Sequence, residues 1–252
     1  KPEGIKTVLW KRCLDVNDRV LRKIVTALDT PNNGIPSETG FVITPASEIM
    51  AVLCLSEGLE ELRKKIDNML LGFTFAGEPF TTKDLGVTGA ITALLKDAIQ
   101  PNLVQTLEGT PAMVHGGPFA NIAHGCNSLM ATKTALQFGD YVVTEAGFAT
   151  DLGAEKFFNI KCRYSGLVPQ VVVMVATVRA LKMHGGGPKV VAGKPLAPEY
   201  TDENLVLLQA GLVNLERHIQ NALKFGVNVV VAVNSFATDT KAEVEMIREA
   251  AF

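Results

Sequence analysis

Hydrophobic positions fall into two patterns along these 252 residues. Val171-Val172-Val173-Met174 is apolar without alternation, the signature of a buried parallel strand, and it predicts a strand over 171–176. Asn228 to Val233 reads the same way, and Phe41-Val42-Ile43 predicts a shorter strand. Leu205, Leu208, Leu212, Leu215 and Ile219 recur at near-helical spacing and predict a long helix over 201–225. Val20, Leu21, Ile24, Val25 and Leu28 give a second helical stripe, opened by Asp15 to Arg19 and stopped by Thr30-Pro31-Asn32-Asn33-Gly34. Further helices are predicted over 45–55, 56–65, 90–99, 128–138, 157–165 and from Lys241 onward. Residues 70–80 alternate around Ala76-Gly77-Glu78-Pro79 and predict a hairpin. Strands are predicted at 103–107, 112–114 and 140–144. Strands alternating with helices define an α/β fold with a mostly parallel sheet flanked by helices.

Composition narrows the class. Apolar residues make up 47 % and charged residues 20 %, so a sizeable core can form. The net charge of −2 gives no electrostatic footprint for nucleic acid or an acidic membrane. No apolar run approaches the roughly 18–20 residues of a spanning helix. Cys13, Cys54, Cys126 and Cys162 are too widely spaced for a zinc pattern and read as packed thiols in a reducing cytosol. The chain starts without Met and stops inside an amphipathic helix at Phe252, so it reads as truncated at both ends.

Candidate chemistry gathers where predicted strands end, because ligands of open α/β sheets bind at the carboxyl ends of strands. The loop from Glu108 to Gly125 holds Gly116 and Gly117, whose backbone N–H groups suit an anion, with His115, Asn121 and His124 beside them. A tight turn with packed histidines is the alternative. Residues 141–156 place Glu145, Gly147 and Asp151 after an apolar segment. That layout suits carboxylates near Mg²⁺ in phosphoryl transfer, and it equally suits a helix cap at Asp151. Arg179 and Lys182 read either as phosphate ligands beside Gly185 and Gly186 or as a solvated helix face. Asn234 and Phe236 suit a planar heterocycle, whereas a cap at Thr238 or Asp239 with Phe236 in the core is the other reading. No G-x-x-x-x-G-K-[ST] segment occurs within the 252 residues.

The twelve residues from Val175 to Gly186 resemble a signature of the formate–tetrahydrofolate ligase family at every position. Trp10 to Arg22, Phe41 to Val52, Lys96 to Leu103 and Glu108 to His124 resemble further family segments, so the likeness covers nearly the whole chain. Inside the E-A-G-F-G-A-D segment, Ala149 and Thr150 stand where the family has Gly-Ala. The resemblance implies ATP-dependent ligation of formate to tetrahydrofolate through formyl phosphate, in a one-carbon pathway of the cytoplasm. It implies a large domain like that of P-loop nucleotide-binding proteins, with the P-loop upstream of Lys1. Residues 1–226 then belong to that domain, and 227–252 lead into the next α/β domain. Glu145, Asp151 and His124 are assigned to catalysis, with Glu145 and Asp151 as Mg²⁺ ligands. Asn234, Phe236, Thr238 and Asp239 are assigned to nucleotide or folate. Gly116, Gly117, Asn121, Gly147, Arg179, Gly185 and Gly186 form the phosphate or formyl-phosphate loops. ATP, Mg²⁺, tetrahydrofolate and a monovalent cation are the bound species, formate completes the substrates, and the protein is expected to be a homo-oligomer. Without the resemblance, a Mg²⁺-dependent phosphotransferase of another substrate and a non-catalytic scaffold both remain open.

Overall fold

A computed structural model describes residues 4–16, 18–120 and 122–252. The chain divides into two compact units, one of residues 1–148 with 159–166, the other of residues 149–158 with 167–252.

The first unit is built from short pieces. Strand β1 (Ile5–Val8) pairs antiparallel with β6 (Leu70–Thr74), which pairs antiparallel with β7 (Pro79–Thr81). β2 (Arg12–Cys13) and β5 (Phe41–Val42) form a two-residue parallel pair, and β3 (Ile24–Thr26) runs antiparallel to β4 (Ser37–Thr39). β8 (Asn102–Gln105) and β9 (Pro111–Val114) make a hairpin. The helices are α1 (Glu48–Cys54), α2 (Leu59–Asp67), α3 (Thr82–Leu85), α4 (Thr88–Leu94), α5 (Leu129–Phe138) and a single turn, α6 (Arg163–Ser165). Their starts follow side-chain chemistry: Ser47 and Ser128 accept backbone N–H groups, and Thr81 with Asp84 forms a reciprocal capping box. Leu53, Leu62, Ile66, Met69 and Ile99 form the core here.

Among the described residues, the one extended parallel pair lies in the second unit. β10 (Val171–Ala176) and β11 (Asn228–Val233) lie in register from Val171 opposite Asn228 to Ala176 opposite Val233. Between them come α7 (Val178–His184), α8 (Pro198–Thr201) and α9 (Leu205–Leu223), and α10 (Lys241–Ala251) follows. Met174, Ala176, Val178, Leu181, Leu208, Leu212 and Ile247 bury the inner face. Helices α7 and α9 touch through glycine. A Cβ on Gly185 would stand 1.9 Å from the Leu207 carbonyl oxygen, and one on Gly211 would stand 1.9 Å from that of Leu181.

Several expectations need correction. The sheet is not mostly parallel. The described strands form five small sheets, of which three are antiparallel. The helix expected over 15–28 is a short 3-10 turn at Arg19–Arg22 followed by strand β3. Asn17, in its expected opening, lies outside the described residues. The β-branched run Ile24-Val25-Thr26 favours strand pairing over helix, and Ala27 and Asp29 then turn the chain with positive φ. Residues 140–144 form no strand; Tyr141 and Val143 are each 94 % exposed. β10 is covered on one face only, since Val171, Val173 and Val175 are exposed while Met174 and Ala176 are buried.

Candidate functional site

In the first unit, β9 leads into the glycine loop and α5 leads out of it. His115 is buried and engages both ring nitrogens, Nδ1 with Ser128 Oγ at 2.6 Å and Nε2 with the Ala98 carbonyl at 2.7 Å. A carbonyl only accepts, so Nε2 donates to it. Ser128 in turn caps α5 through the Ala131 N–H. His115 is therefore the packed histidine of the alternative reading, with neither nitrogen open to a ligand.

The loop borders a cavity of about 490 Å³, lined by Gly116, Gly117, Cys126, Asn127, Glu145 and Phe148 among others. Gly116 sits at φ +65°, and a Cβ there would stand 2.1 Å from Cys54 Sγ, so it is held both by conformation and by the thiol beneath it. Gly117 has open space at the same position. Glu145 is exposed at the cavity, and Gly147 takes a positive φ of 82°. Asn121 lies outside the described residues.

Beneath this loop is a cluster that sequence reasoning did not find. Lys161 is 1 % exposed, and it interacts electrostatically with Cys54, Cys126, Cys162, His124 and Glu145. Burial pulls the Lys161 ammonium below its ordinary value, while the thiols and Glu145 oppose that shift. Burial pushes the Cys126 thiol up to about 11 against the pull of Lys161, and it raises Cys54 and Cys162 too. His124 is wholly buried, with Nε2 3.2 Å from the Asn127 carbonyl. Burial first, and Lys161 second, lower its pKa to about 4, so the imidazole is neutral at pH 7. A lysine inside Phe157–Cys162 reads in sequence as one polar position of an amphipathic helix. Nothing in the pattern marks it as buried.

In the second unit, Asp151 is exposed on a π-helical segment, Ala149–Ala154. Glu145 and Asp151 thus fall in different units. Ala149 sits at φ +63°, a left-handed conformation that favours glycine. Phe236 is 42 % exposed, which excludes the core reading, and the Arg179 guanidinium lies 4.0 Å from its ring centroid. Arg179 also donates to Thr238 Oγ1 at 3.0 Å. The structure therefore brings Arg179, Phe236 and Thr238 together. Asp239 Oδ2 accepts the Phe236 N–H at 2.8 Å, and the Asn234 N–H donates to the Ala176 carbonyl at 2.9 Å, fixing the loop to the end of β10. The α10 cap is Thr240, in a capping box with Glu243, and not Thr238 or Asp239. Gly185 is a close-packing residue, whereas Gly186, at φ +101°, has open space at its Cβ position.

Lys182 is neither a phosphate ligand nor part of a solvated face. Its side chain is 1 % exposed and pairs with fully buried Glu243 at 2.5 Å. Burial raises the Glu243 carboxyl, but Lys182 and the Thr240 and Asn204 N–H groups more than offset this and hold it below the usual carboxylate range. A second cavity of about 370 Å³ runs along β11 and the end of α10, lined mostly by valines, and contains none of the candidate site residues.

A glycine loop over a carboxylate-edged cavity, and an aromatic backed by arginine at a strand end, are parts suited to binding anionic and planar ligands. The family model for formate–tetrahydrofolate ligase matches residues 3–252. A formate–tetrahydrofolate ligase of Bacteroides thetaiotaomicron is 63 % identical over 98 % of this chain, those of Arabidopsis thaliana and Spinacia oleracea 58 % identical over 96 % and 97 %. The chain belongs to the formate–tetrahydrofolate ligase family. It spans 43 % of the bacterial relative and 39 % of each plant relative.

Proposed function

We propose that this chain is the central part of an ATP-dependent formate–tetrahydrofolate ligase acting in one-carbon metabolism. The observation that carries this reading is the family match across residues 3–252. In the proposed reaction a formate oxygen attacks the γ-phosphoryl group and ADP leaves. The folate N10 then attacks the formyl carbon of formyl phosphate, and phosphate leaves to give 10-formyltetrahydrofolate.

The residues fit distinct roles. The Gly116-Gly117 backbone is suited to an anionic phosphate or formyl phosphate, with Asn121, Gly147 and Gly186 as further loop positions. Mg²⁺ binds through one or two carboxylates together with substrate phosphates, and exposed Glu145 at the cavity suits such a ligand, with Asp151 as the second candidate. Bound there, the ion would neutralise charge on the transferred phosphoryl group. His124 serves as a neutral hydrogen-bonding group, since its low pKa leaves no cation to clamp phosphate at pH 7. Phe236 stacks the planar ring of nucleotide or folate, Asn234 and Asp239 hold its loop, and Arg179 backs the ring.

On this reading residues 1–226 belong to a P-loop-NTPase-like large domain of the parent, and 227–252 lead toward the next α/β domain. The parent is a cytoplasmic homo-oligomer that also binds a monovalent cation. ADP release by the parent should require both formate and tetrahydrofolate. Release independent of either substrate would overturn the proposal in favour of a different phosphotransferase. The 252 residues lack a G-x-x-x-x-G-K-[ST] cradle and should not turn over alone.

A further inference from the structure

We infer that the buried Lys182–Glu243 pair is a positioning device that sets the 234–240 loop, and with it the Phe236 ring, in place for ligand. The inference rests on the reading of Phe236 as a stacking residue and adds residues that touch no ligand themselves.

The geometry joins three segments at one point. Lys182 Nζ contacts Glu243 Oε1 at 2.5 Å and donates to the Asp202 carbonyl at 2.7 Å. Glu243 Oε1 accepts the Asn204 N–H and Oε2 accepts the Thr240 N–H, both at 3.0 Å. Thr240 Oγ1 donates to Glu203 at 2.6 Å. Helix α7, the 202–204 turn and the start of α10 are thereby locked together. Arg179 and Lys182 are three residues apart on α7, so they lie on one side of the helix. Arg179 reaches the middle of the loop, at Phe236 and Thr238, and Lys182 reaches its far end, at Thr240, through Glu243. The near end is held by Asn234 on Ala176.

Energetics argue that this pair does more than add stability. Removing two charges from water offsets most of their attraction, and buried pairs are often replaceable by apolar residues without loss. What an apolar pair cannot reproduce is direction. Two carboxylate oxygens fix two separate backbone N–H groups, and the ammonium fixes a carbonyl on the adjoining turn.

The test is the double variant Lys182→Met/Glu243→Leu, which removes both charges together. Amide hydrogen exchange on the 252-residue chain should become at least about tenfold faster at Phe236 and Asp239, whose own partners are untouched by the substitutions, with the β10 and α9 amides unchanged. In the parent enzyme, KM for ATP or tetrahydrofolate should rise about tenfold with kcat within about twofold, the pattern of lost uniform binding. Lys182→Met/Glu243→Gln keeps one acceptor oxygen and should show a smaller version of both changes. Faster exchange confined to Asn204 and Thr240 would mark a local cap and overturn the inference. Failure of both double variants to fold would also overturn it, because the pair would then be required for folding itself. If Phe236→Ala leaves both KM values unchanged, the stacking reading fails, while the exchange data still decide whether the pair positions the loop.

Discussion

Lys161 and Lys182 are equally hidden, each 1 % exposed, yet the surroundings treat their charges differently. Around Lys182 the fold supplies a carboxylate at 2.5 Å, a backbone carbonyl at 2.7 Å and a backbone donor for each of the two carboxylate oxygens. Around Lys161 stand three thiols that burial keeps protonated, a neutral histidine and the carboxylate of Glu145. There burial prevails and the ammonium is pulled down. The same degree of burial thus accompanies a carboxylate lock at Lys182 and a thiol-rich cluster at Lys161. Burial sets the energy at stake, and the partners decide the protonation state.

The largest expected effect breaks the paired side. Glu243→Leu alone leaves the Lys182 charge uncompensated and should destabilise the second unit by about 3–5 kcal/mol, as removal of one partner of a buried pair does. Denaturant unfolding measures it. A loss below about 1 kcal/mol would mean that Lys182 reaches water or another partner, and the contrast with Lys161 would collapse.

The next effect tests the thiol-lined side through His124. Its pKa is about 4 folded and 6.5 unfolded, so the unfolded chain binds more protons between those values. Stability is therefore complete above pH 6.5 and falls as the pH drops toward 4. The shift corresponds to roughly 3 kcal/mol. His124→Gln should flatten the unfolding free energy across that window, and an unchanged slope would assign the acid sensitivity to other groups. Lys161→Met sharpens the same comparison at the alkaline end. With the folded pKa lowered, wild-type stability rises as pH climbs toward 10.5, and the variant should lose that rise. A curve unaltered by the substitution would assign the alkaline rise to other groups.

Phe236→Ala separates binding from packing beside the paired lysine. Losing a stacked ring is worth about 1–3 kcal/mol, a rise of five- to over a hundredfold in KM or Kd for nucleotide or folate in the parent. A ring 42 % exposed should give a melting loss well short of the ~3–5 kcal/mol of a core Phe→Ala change. A large melting loss with unchanged affinity would make it a packing residue. The smallest effect is at Ala149, whose φ of +63° stores about 1 kcal/mol relative to glycine. Ala149→Gly should raise the unfolding free energy by up to about that amount.

Strands 171–176 and 228–233, the long leucine helix and the serine-capped α1 and α5 were legible because local periodicity and capping chemistry act within a few residues. The stretch 20–28 misled because its apolar spacing fits a helix while its β-branched centre finds a strand partner further along the chain, with Val25 opposite Glu38 and Thr26 opposite Ser37. Phe236 and Glu145 were legible as residues at loop ends. That Arg179 would back the ring was not, because the contact joins residues 57 positions apart.

Residue chemistry and short-range pattern alone settled the kind of protein this is: an α/β chain with glycine loops, acids and an aromatic at strand and loop ends, and family motifs spread over almost its whole length. The partner of each buried charge was left to the fold. Lys161 and Lys182 are the same residue type, each in a segment that reads as helical. Only long-range packing, which put Glu243 beside one and thiols beside the other, made them different, because electrostatic energy depends on distances in space that no local sequence pattern encodes.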